Sequence, residues 1–134
     1  MKRMINVEPL KRVDRVEFGM PRNSVREIFG AEFREFKKSK SSVNTTDDFG
    51  YAHVFYDANN ACIAIELFNE CVVSVGTTCL MPCDRQSFCD WLKSVDAEAE
   101  IRDTDATSVA LSIGVTFVDG KIDSILFAKE GYYA

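Results

Sequence analysis

The sequence has few of the residues that usually carry metal or catalytic chemistry. It contains one histidine, His53, and its five cysteines include no pair separated by only two residues. Zinc sites need four ligands, usually in closely spaced pairs, and Cys79 and Cys83 supply only one such pair. We therefore expect no bound metal and no cofactor. The cysteines are interpreted as reduced packing residues.

Motifs that hold phosphates or present a nucleophile are also absent. The sequence has no glycine-rich phosphate loop, no dinucleotide-binding fingerprint and no nucleophile elbow. A cysteine nucleophile would need His53 as its base, and a lone histidine in a predicted strand is typical of a structural role. We therefore predict that the protein is not an enzyme. A dyad of His53 with Cys62 or Cys71 is the remaining catalytic alternative.

Long hydrophobic runs are missing as well. The longest apolar stretches, residues 71–75 and 109–118, are interrupted or too short to cross a bilayer. The basic start of the chain is not followed by an apolar segment of the kind that a secretory signal has. These features predict no membrane association and a cytoplasmic location.

An excess of negative charge bears on whether the partner is a nucleic acid or a protein. The chain has 16 Lys and Arg against 21 Asp and Glu, a net charge of -5. Nucleic-acid binding needs a basic surface that displaces counterions, so we expect no nucleic-acid partner. Hydrophobic residues make up 46% of the 134 residues, which is enough for a core. Residues 1–134 are therefore predicted to form a single domain.

Two amphipathic helices are predicted from the spacing of apolar side chains. Val25, Ile28 and Phe29 indicate a helix over residues 21–29 that ends at Gly30. Four apolar residues after Asp84 indicate a second helix over Arg85–Val95, with Asp84 as its N-cap: Phe88, Trp91, Leu92 and Val95.

Alternating apolar residues predict two hairpins. A turn at Asn59-Asn60 would pair Tyr56 with Ile63, Val54 with Ile65 and Ala52 with Leu67. A turn at Asp119-Gly120 would pair Phe117 with Ile122, Val115 with Ser124 and Ile113 with Leu126. The predicted fold class is α+β, a mainly antiparallel sheet with two helices packed on one face.

The two halves of the sequence also resemble each other. Each predicted helix is followed by a predicted hairpin, at offsets of about 60 residues. A tandem helix-plus-hairpin repeat explains this pattern, and chance similarity between amphipathic units is the alternative.

Residues 108–118 are predicted to form one long strand. An exposed edge on that strand would favour self-association, such as a homodimer.

Acidic side chains crowd the segment between the second helix and the last hairpin. Such a patch steers a basic partner toward the protein and raises its association rate. Exposed aromatic residues near the end of the chain could anchor such a partner. The candidate partner-binding residues are Asp47, Asp48, Asp96, Glu98, Glu100, Asp103, Asp105, Tyr132 and Tyr133. A solvated surface charge that only keeps the protein soluble is the alternative.

Three motifs suggest a family. These are Thr46-Asp47-Asp48-Phe49, Val54-Phe55-Tyr56-Asp57 and Ala64-Ile65-Glu66-Leu67-Phe68, which follow a helix that opens with Gly-Met. The pattern resembles small bacterial immunity proteins of polymorphic-toxin and contact-dependent-inhibition systems. That resemblance implies a non-enzymatic cytoplasmic protein that neutralises a toxin domain, here a basic one, by direct binding. A self-associating structural or adaptor domain is the alternative function.

Overall fold

The computed structural model describes residues 2–134. Over that range the chain forms the helices α1 (Arg22–Phe29) and α2 (Arg85–Val95) and thirteen strands. The strands are β1 (Arg3–Glu8), β2 (Arg12–Val13), β3 (Val16–Glu17), β4 (Arg34–Phe36), β5 (Thr46–Asp48), β6 (Ala52–Tyr56), β7 (Cys62–Phe68), β8 (Cys71–Val75), β9 (Thr78–Met81), β10 (Glu100–Ile101), β11 (Asp105–Ser108), β12 (Ile113–Val118) and β13 (Lys121–Ala128). The predicted α+β class is confirmed.

Both predicted helices are present. The second has its predicted bounds, and the side chain of Asp84 caps it by accepting a hydrogen bond from the Ser87 backbone N–H at 2.7 Å. The first begins one residue later than predicted, because Pro21 has an extended backbone and acts as the N-cap. Gly30 follows this helix with a positive φ of 127°, which suits glycine.

The strands form two sheets. The larger has the order β10-β11-β12-β13-β7-β6-β5-β4, and all of its neighbouring strands are antiparallel. The smaller has the order β3-β2-β1-β8-β9 and contains one parallel pair, β1 with β8. The mainly antiparallel character was predicted. The smaller sheet was not predicted, since two of its strands, β2 and β3, are only two residues long.

The helices cover one face of the larger sheet. Val25 and Phe29 of α1 and Phe88 and Leu92 of α2 belong to one buried cluster with the sheet residues of that face. The opposite face carries a separate small cluster centred on Phe55, Ala64 and Ala128. Since both helices bury their apolar sides in the first cluster, this second face, here called the open face, has no helix on it within residues 2–134.

The predicted internal repeat is present in the larger sheet. Strands β4–β7 follow α1 and strands β10–β13 follow α2, and the two four-stranded units meet where β7 pairs with β13. Each helix is held at its first residue by the turn of its own hairpin. The Arg22 N–H donates to the Asn60 carbonyl at 2.9 Å, and the Arg85 N–H donates to the Gly120 carbonyl at 3.0 Å.

Each hairpin contains a β-bulge, at equivalent places in the two halves. Val54 pairs with Ile65 as predicted, but Tyr56 pairs with Cys62 because the register shifts by one residue. Phe117 pairs with Ile122 as predicted, but Val115 pairs with Ile125 for the same reason. The predicted pairs Tyr56 with Ile63, Val115 with Ser124 and Ile113 with Leu126 are therefore wrong.

The long strand predicted over residues 108–118 is also wrong. A turn divides it into β11 and β12, and both strands are paired on both sides. The edges of the larger sheet are β10 and β4, which have two and three residues. Edges this short offer little backbone for pairing with a second chain.

Candidate functional site

The open face is crossed by one row of residues that includes a member from every strand of the larger sheet. Directly paired residues of neighbouring strands point to the same side of a sheet. The pairing therefore places eight residues in line, seven with side chains and one glycine: Glu100, Thr107, Gly114, Leu126, Glu66, His53, Asp48 and Arg34. None of them belongs to the buried cluster beneath the helices.

The centre of this row combines a carboxylate with aromatic rings. Glu66 lies opposite His53, whose ring packs edge-on against Phe36 and Phe68 at centroid distances of 5.1 and 4.7 Å. The Ser124 hydroxyl donates to the Glu66 carboxylate at 2.9 Å. All of these side chains except Ser124 are only partly buried. The centre of the open face thus offers apolar ring surface beside a negative charge.

The two C-terminal tyrosines lie on the same face. Tyr132 packs against the small cluster of the open face, and its ring meets that of Tyr133 at 5.1 Å. The hydroxyl of Tyr133 lies over Gly114, where a methyl group would overlap it. Burial, and then the nearby Tyr132, Glu66 and Asp105, raise the pKa of Tyr133 to about 12. Strand pairing puts Asp105 on this face as well, so three of the predicted site residues, Tyr132, Tyr133 and Asp105, lie near one another.

The rest of the acidic segment lies at the β10 end of the sheet. Glu98, Glu100 and Asp103 are exposed. Arg102 contacts Glu100 at 2.7 Å and Asp105 at 3.4 Å, so part of the negative charge of the segment is neutralised locally.

Asp96 has a structural role within that segment. Its carboxylate accepts hydrogen bonds from the Ser108 hydroxyl at 2.7 Å and from the Glu98 backbone N–H at 3.0 Å. These bonds fix the turn that follows α2. Asp96 is therefore less available to a partner than the exposed carboxylates beside it.

The two acidic residues of β5 point in opposite directions. Asp48 lies on the open face, where its carboxylate contacts Arg34 at 3.5 Å and His53 Nε2 at 3.4 Å. Asp47 is fully buried on the other side. The prediction that Asp47 is a solvated charge available to a partner is therefore wrong. A strand alternates its side chains, so two adjacent acidic residues cannot share one face.

Asp47 is instead the centre of a buried polar network. Both of its carboxylate oxygens accept hydrogen bonds from the Arg26 guanidinium at 2.8 Å, and the Tyr56 hydroxyl donates at 2.8 Å. The guanidinium of Arg26 also contacts Glu35 on β4. This network ties α1 to the edge strand β4.

The internal repeat provides a natural control for this network. Pairing and helix position equate Arg26, Glu35, Asp47 and Tyr56 of the first half with Cys89, Ile101, Ala106 and Phe117 of the second. The same fold is thus built once with a charged network and once with apolar side chains. Replacing a buried ion pair by apolar groups is often neutral for stability. We therefore expect that the first half can fold without the network.

Within residues 2–134 the structure does not bring His53 together with Cys62 or Cys71, as a catalytic dyad would require. His53 lies on the open face, whereas Cys62 and Cys71 are fully buried in the cluster under the helices. Burial raises the pKa of the Cys62 thiol to about 12 and that of Cys71 to about 11. Both shifts oppose formation of the reactive thiolate.

A shallow cleft of about 1130 Å³ lies away from the open-face row, beside the N-terminus of α2. Its lining includes Cys83, Asp84, Asp119 and Lys121. The Asp84 carboxylate already accepts from the Ser87 backbone N–H and places a negative charge at this helix end, which disfavours binding of an anion there. Within residues 2–134 no group of three or more potential ligands is placed to hold a metal ion.

Comparisons with known proteins found no matching family model, no matching curated protein and no matching solved structure. Among the described residues, neither helix has the length and apolar character required to traverse a bilayer.

Sequence reasoning missed Glu66 and His53 as members of the candidate site. Alternation within β7 puts Glu66 and Phe68 on one face, and this signal was available in the sequence. The position of His53 beside them depends on the pairing of β6 with β7, which a sequence supplies only through the turn between them.

Proposed function

We propose that this chain is a non-enzymatic protein-binding module of the immunity type, which neutralises a basic toxin domain by direct binding through its open face. The observation that carries the proposal is the row on that face. Three of its members are carboxylates, Asp48, Glu66 and Glu100, and aromatic rings lie beside them. Interfaces of this kind combine aromatic anchors with charges that steer the partner.

The face has the features of a docking surface. Phe36, Phe68 and Tyr132 are partly exposed, and 37% of the surface of Tyr133 is accessible. The negative charge at the centre and at the β10 end complements a basic partner. The resemblance to immunity proteins and the net charge of -5 favour the same interpretation.

The test is capture followed by an assay of toxicity. The chain is used as bait in a lysate of its source organism, and the captured protein is then expressed alone and together with the chain. We expect one stoichiometric basic protein that stops growth alone and is harmless when the chain is co-expressed. A captured protein that does not inhibit growth, or the absence of any stoichiometric protein after a low-salt wash, contradicts the proposal.

A further inference from the structure

The carboxylates of the open-face row differ in their partners. Asp48 contacts Arg34, and Glu100 contacts Arg102. Glu66, at the centre of the sheet, has the Ser124 hydroxyl as its hydrogen-bond donor, and no basic nitrogen of residues 2–134 lies within 4.0 Å of its carboxylate. It is only partly exposed. A half-buried carboxylate has lost part of its hydration, and one hydroxyl donor replaces only part of it.

The surroundings of Glu66 fit the shape of one cationic group. Phe68 lies two residues along β7 on the same face, and its ring packs against His53. Leu126 is paired with Glu66 on the other side and packs in the cluster that includes Tyr132. A guanidinium is planar, donates two parallel hydrogen bonds to a carboxylate and stacks on aromatic rings, whereas an ammonium does not.

We infer that Glu66, framed by Phe68 and Leu126, is the subsite that receives an arginine side chain of the partner at the centre of the open face. This inference rests on the proposed function and deepens it. Residues near the geometric centre of an interface, shielded from water by their neighbours, carry most of the binding energy. The acidic segment at the β10 end would then govern the rate of encounter, and Glu66 the lifetime of the complex.

The test uses a small probe that needs no knowledge of the partner. Acetyl-leucyl-arginine amide is titrated into the isotopically labelled chain, and backbone amide shifts are followed by NMR. The lysine and citrulline analogues serve as charged and neutral comparisons. We expect the arginine probe to shift the amides of Glu66, His53 and Leu126, the lysine probe to shift them less, and the citrulline probe not to shift them.

Two variants complete the experiment. Glu66→Gln keeps an oxygen that accepts from Ser124 but removes the charge, and it should weaken binding of the arginine probe by about tenfold or more. Glu27→Gln removes an exposed carboxylate on α1, away from the open face, and it should leave the binding unchanged. Shifts spread evenly over all exposed carboxylates, or binding that survives Glu66→Gln, would overturn the inference.

The outcome is separable from that of the toxin assay. If the wild type and Glu66→Gln capture and neutralise the toxin equally well, the proposed immunity function is supported and the arginine subsite at Glu66 is contradicted. If the arginine probe alone shifts the backbone amide signal of Glu66 but no toxin is captured, the arginine subsite is supported and the immunity function is contradicted.

Discussion

Gly114 leaves the space on the open face that the ring of Tyr133 occupies. A methyl group at position 114 would overlap the Tyr133 hydroxyl, and the backbone of Gly114 is not in the left-handed region that favours glycine. A substitution there therefore acts through the tyrosine and not through backbone strain. The two residues connect the C-terminal end of the chain to the central strands of the candidate site.

We predict that Gly114→Ala expels Tyr133 from its position. Because burial is the main cause of the raised pKa of Tyr133, that pKa should fall from about 12 toward the ordinary value of 10. The measurement is the ultraviolet absorbance of tyrosinate as the pH is raised. Compared with the wild type, one additional tyrosine should ionise near pH 10, and the added signal should disappear in the double variant Gly114→Ala/Tyr133→Phe. An unchanged titration curve would show that Tyr133 does not depend on Gly114.

A second prediction concerns the buried pair of Arg26 and Asp47. Asp47→Ala leaves the Arg26 guanidinium without its main partner, and it should lower the free energy of unfolding by about 3–5 kcal/mol. A variant with the four residues of the second half, Arg26→Cys, Glu35→Ile, Asp47→Ala and Tyr56→Phe, should recover much of that loss. Urea denaturation measures both. A quadruple variant that is no more stable than Asp47→Ala would show that the apolar residues of the second half cannot replace the charged network of the first.

The helices could be predicted from the sequence because their signals are local. Asp84 caps α2, and the apolar residues after it recur at helical spacing, so both ends of the helix were correctly placed. The turn at Asp119-Gly120 was likewise placed correctly, whereas the first hairpin closes over three residues, 58–60, and the Asp57 N–H donates to the Ala61 carbonyl at 3.0 Å. In each hairpin the pairs on one side of the bulge were predicted wrongly, the turn side in the first hairpin and the far side in the second, because one extra residue shifts the register and no local signal marks it.

The candidate site was harder to predict than the fold. Asp47 and Asp48 are neighbours in sequence, yet the strand sends one into the core and the other to the open face. Tyr133 and Gly114 are far apart along the chain and meet only when β12 is in place. The acidic segment was recognised by composition alone, whereas Glu66 acquires its significance from strands on both sides of it.

A third prediction concerns stability at alkaline pH. The folded-state pKa values of Cys62, Cys71 and Tyr51 are raised to about 12, 11 and 12, mainly because burial disfavours the charged forms. The unfolded chain loses these protons at lower pH. The protonated forms of these three groups therefore stabilise the folded state fully below about pH 9, and this stabilisation is lost as the pH rises toward 11 or 12.

The free energy of unfolding should accordingly fall above pH 9, at up to about 1.4 kcal/mol per pH unit for each such group. Urea denaturation at a series of pH values measures this slope. Cys71→Ala should make the slope shallower between pH 9 and 11, whereas Cys79→Ala, at an exposed position, should not. A slope that is the same in the wild type and in Cys71→Ala would contradict the prediction.

A fourth prediction concerns the accessibility of the cysteines. Cys79 is exposed, Cys83 is partly exposed, and the other three are buried. In the native protein a thiol reagent should modify Cys79 rapidly and Cys83 more slowly, and it should reach Cys62, Cys71 and Cys89 only after unfolding. Mass spectrometry of the alkylated protein identifies the sites. Rapid native labelling of Cys62 or Cys71 would contradict the burial that separates them from His53.

The last prediction concerns the rate at which a partner associates. Asp103→Lys and Asp105→Lys together change the net charge by +4 at the β10 end of the open face, where the acidic segment is expected to attract a basic toxin. Association should become much slower at low ionic strength, and the difference should shrink as salt screens the charges. The control is Glu17→Lys with Glu27→Lys, which changes the net charge equally at exposed positions on β3 and α1, away from the open face. Stopped-flow measurements with the captured toxin compare the two. If both pairs slow association alike, only the overall charge acts, and if neither does, electrostatic attraction by the acidic segment is excluded.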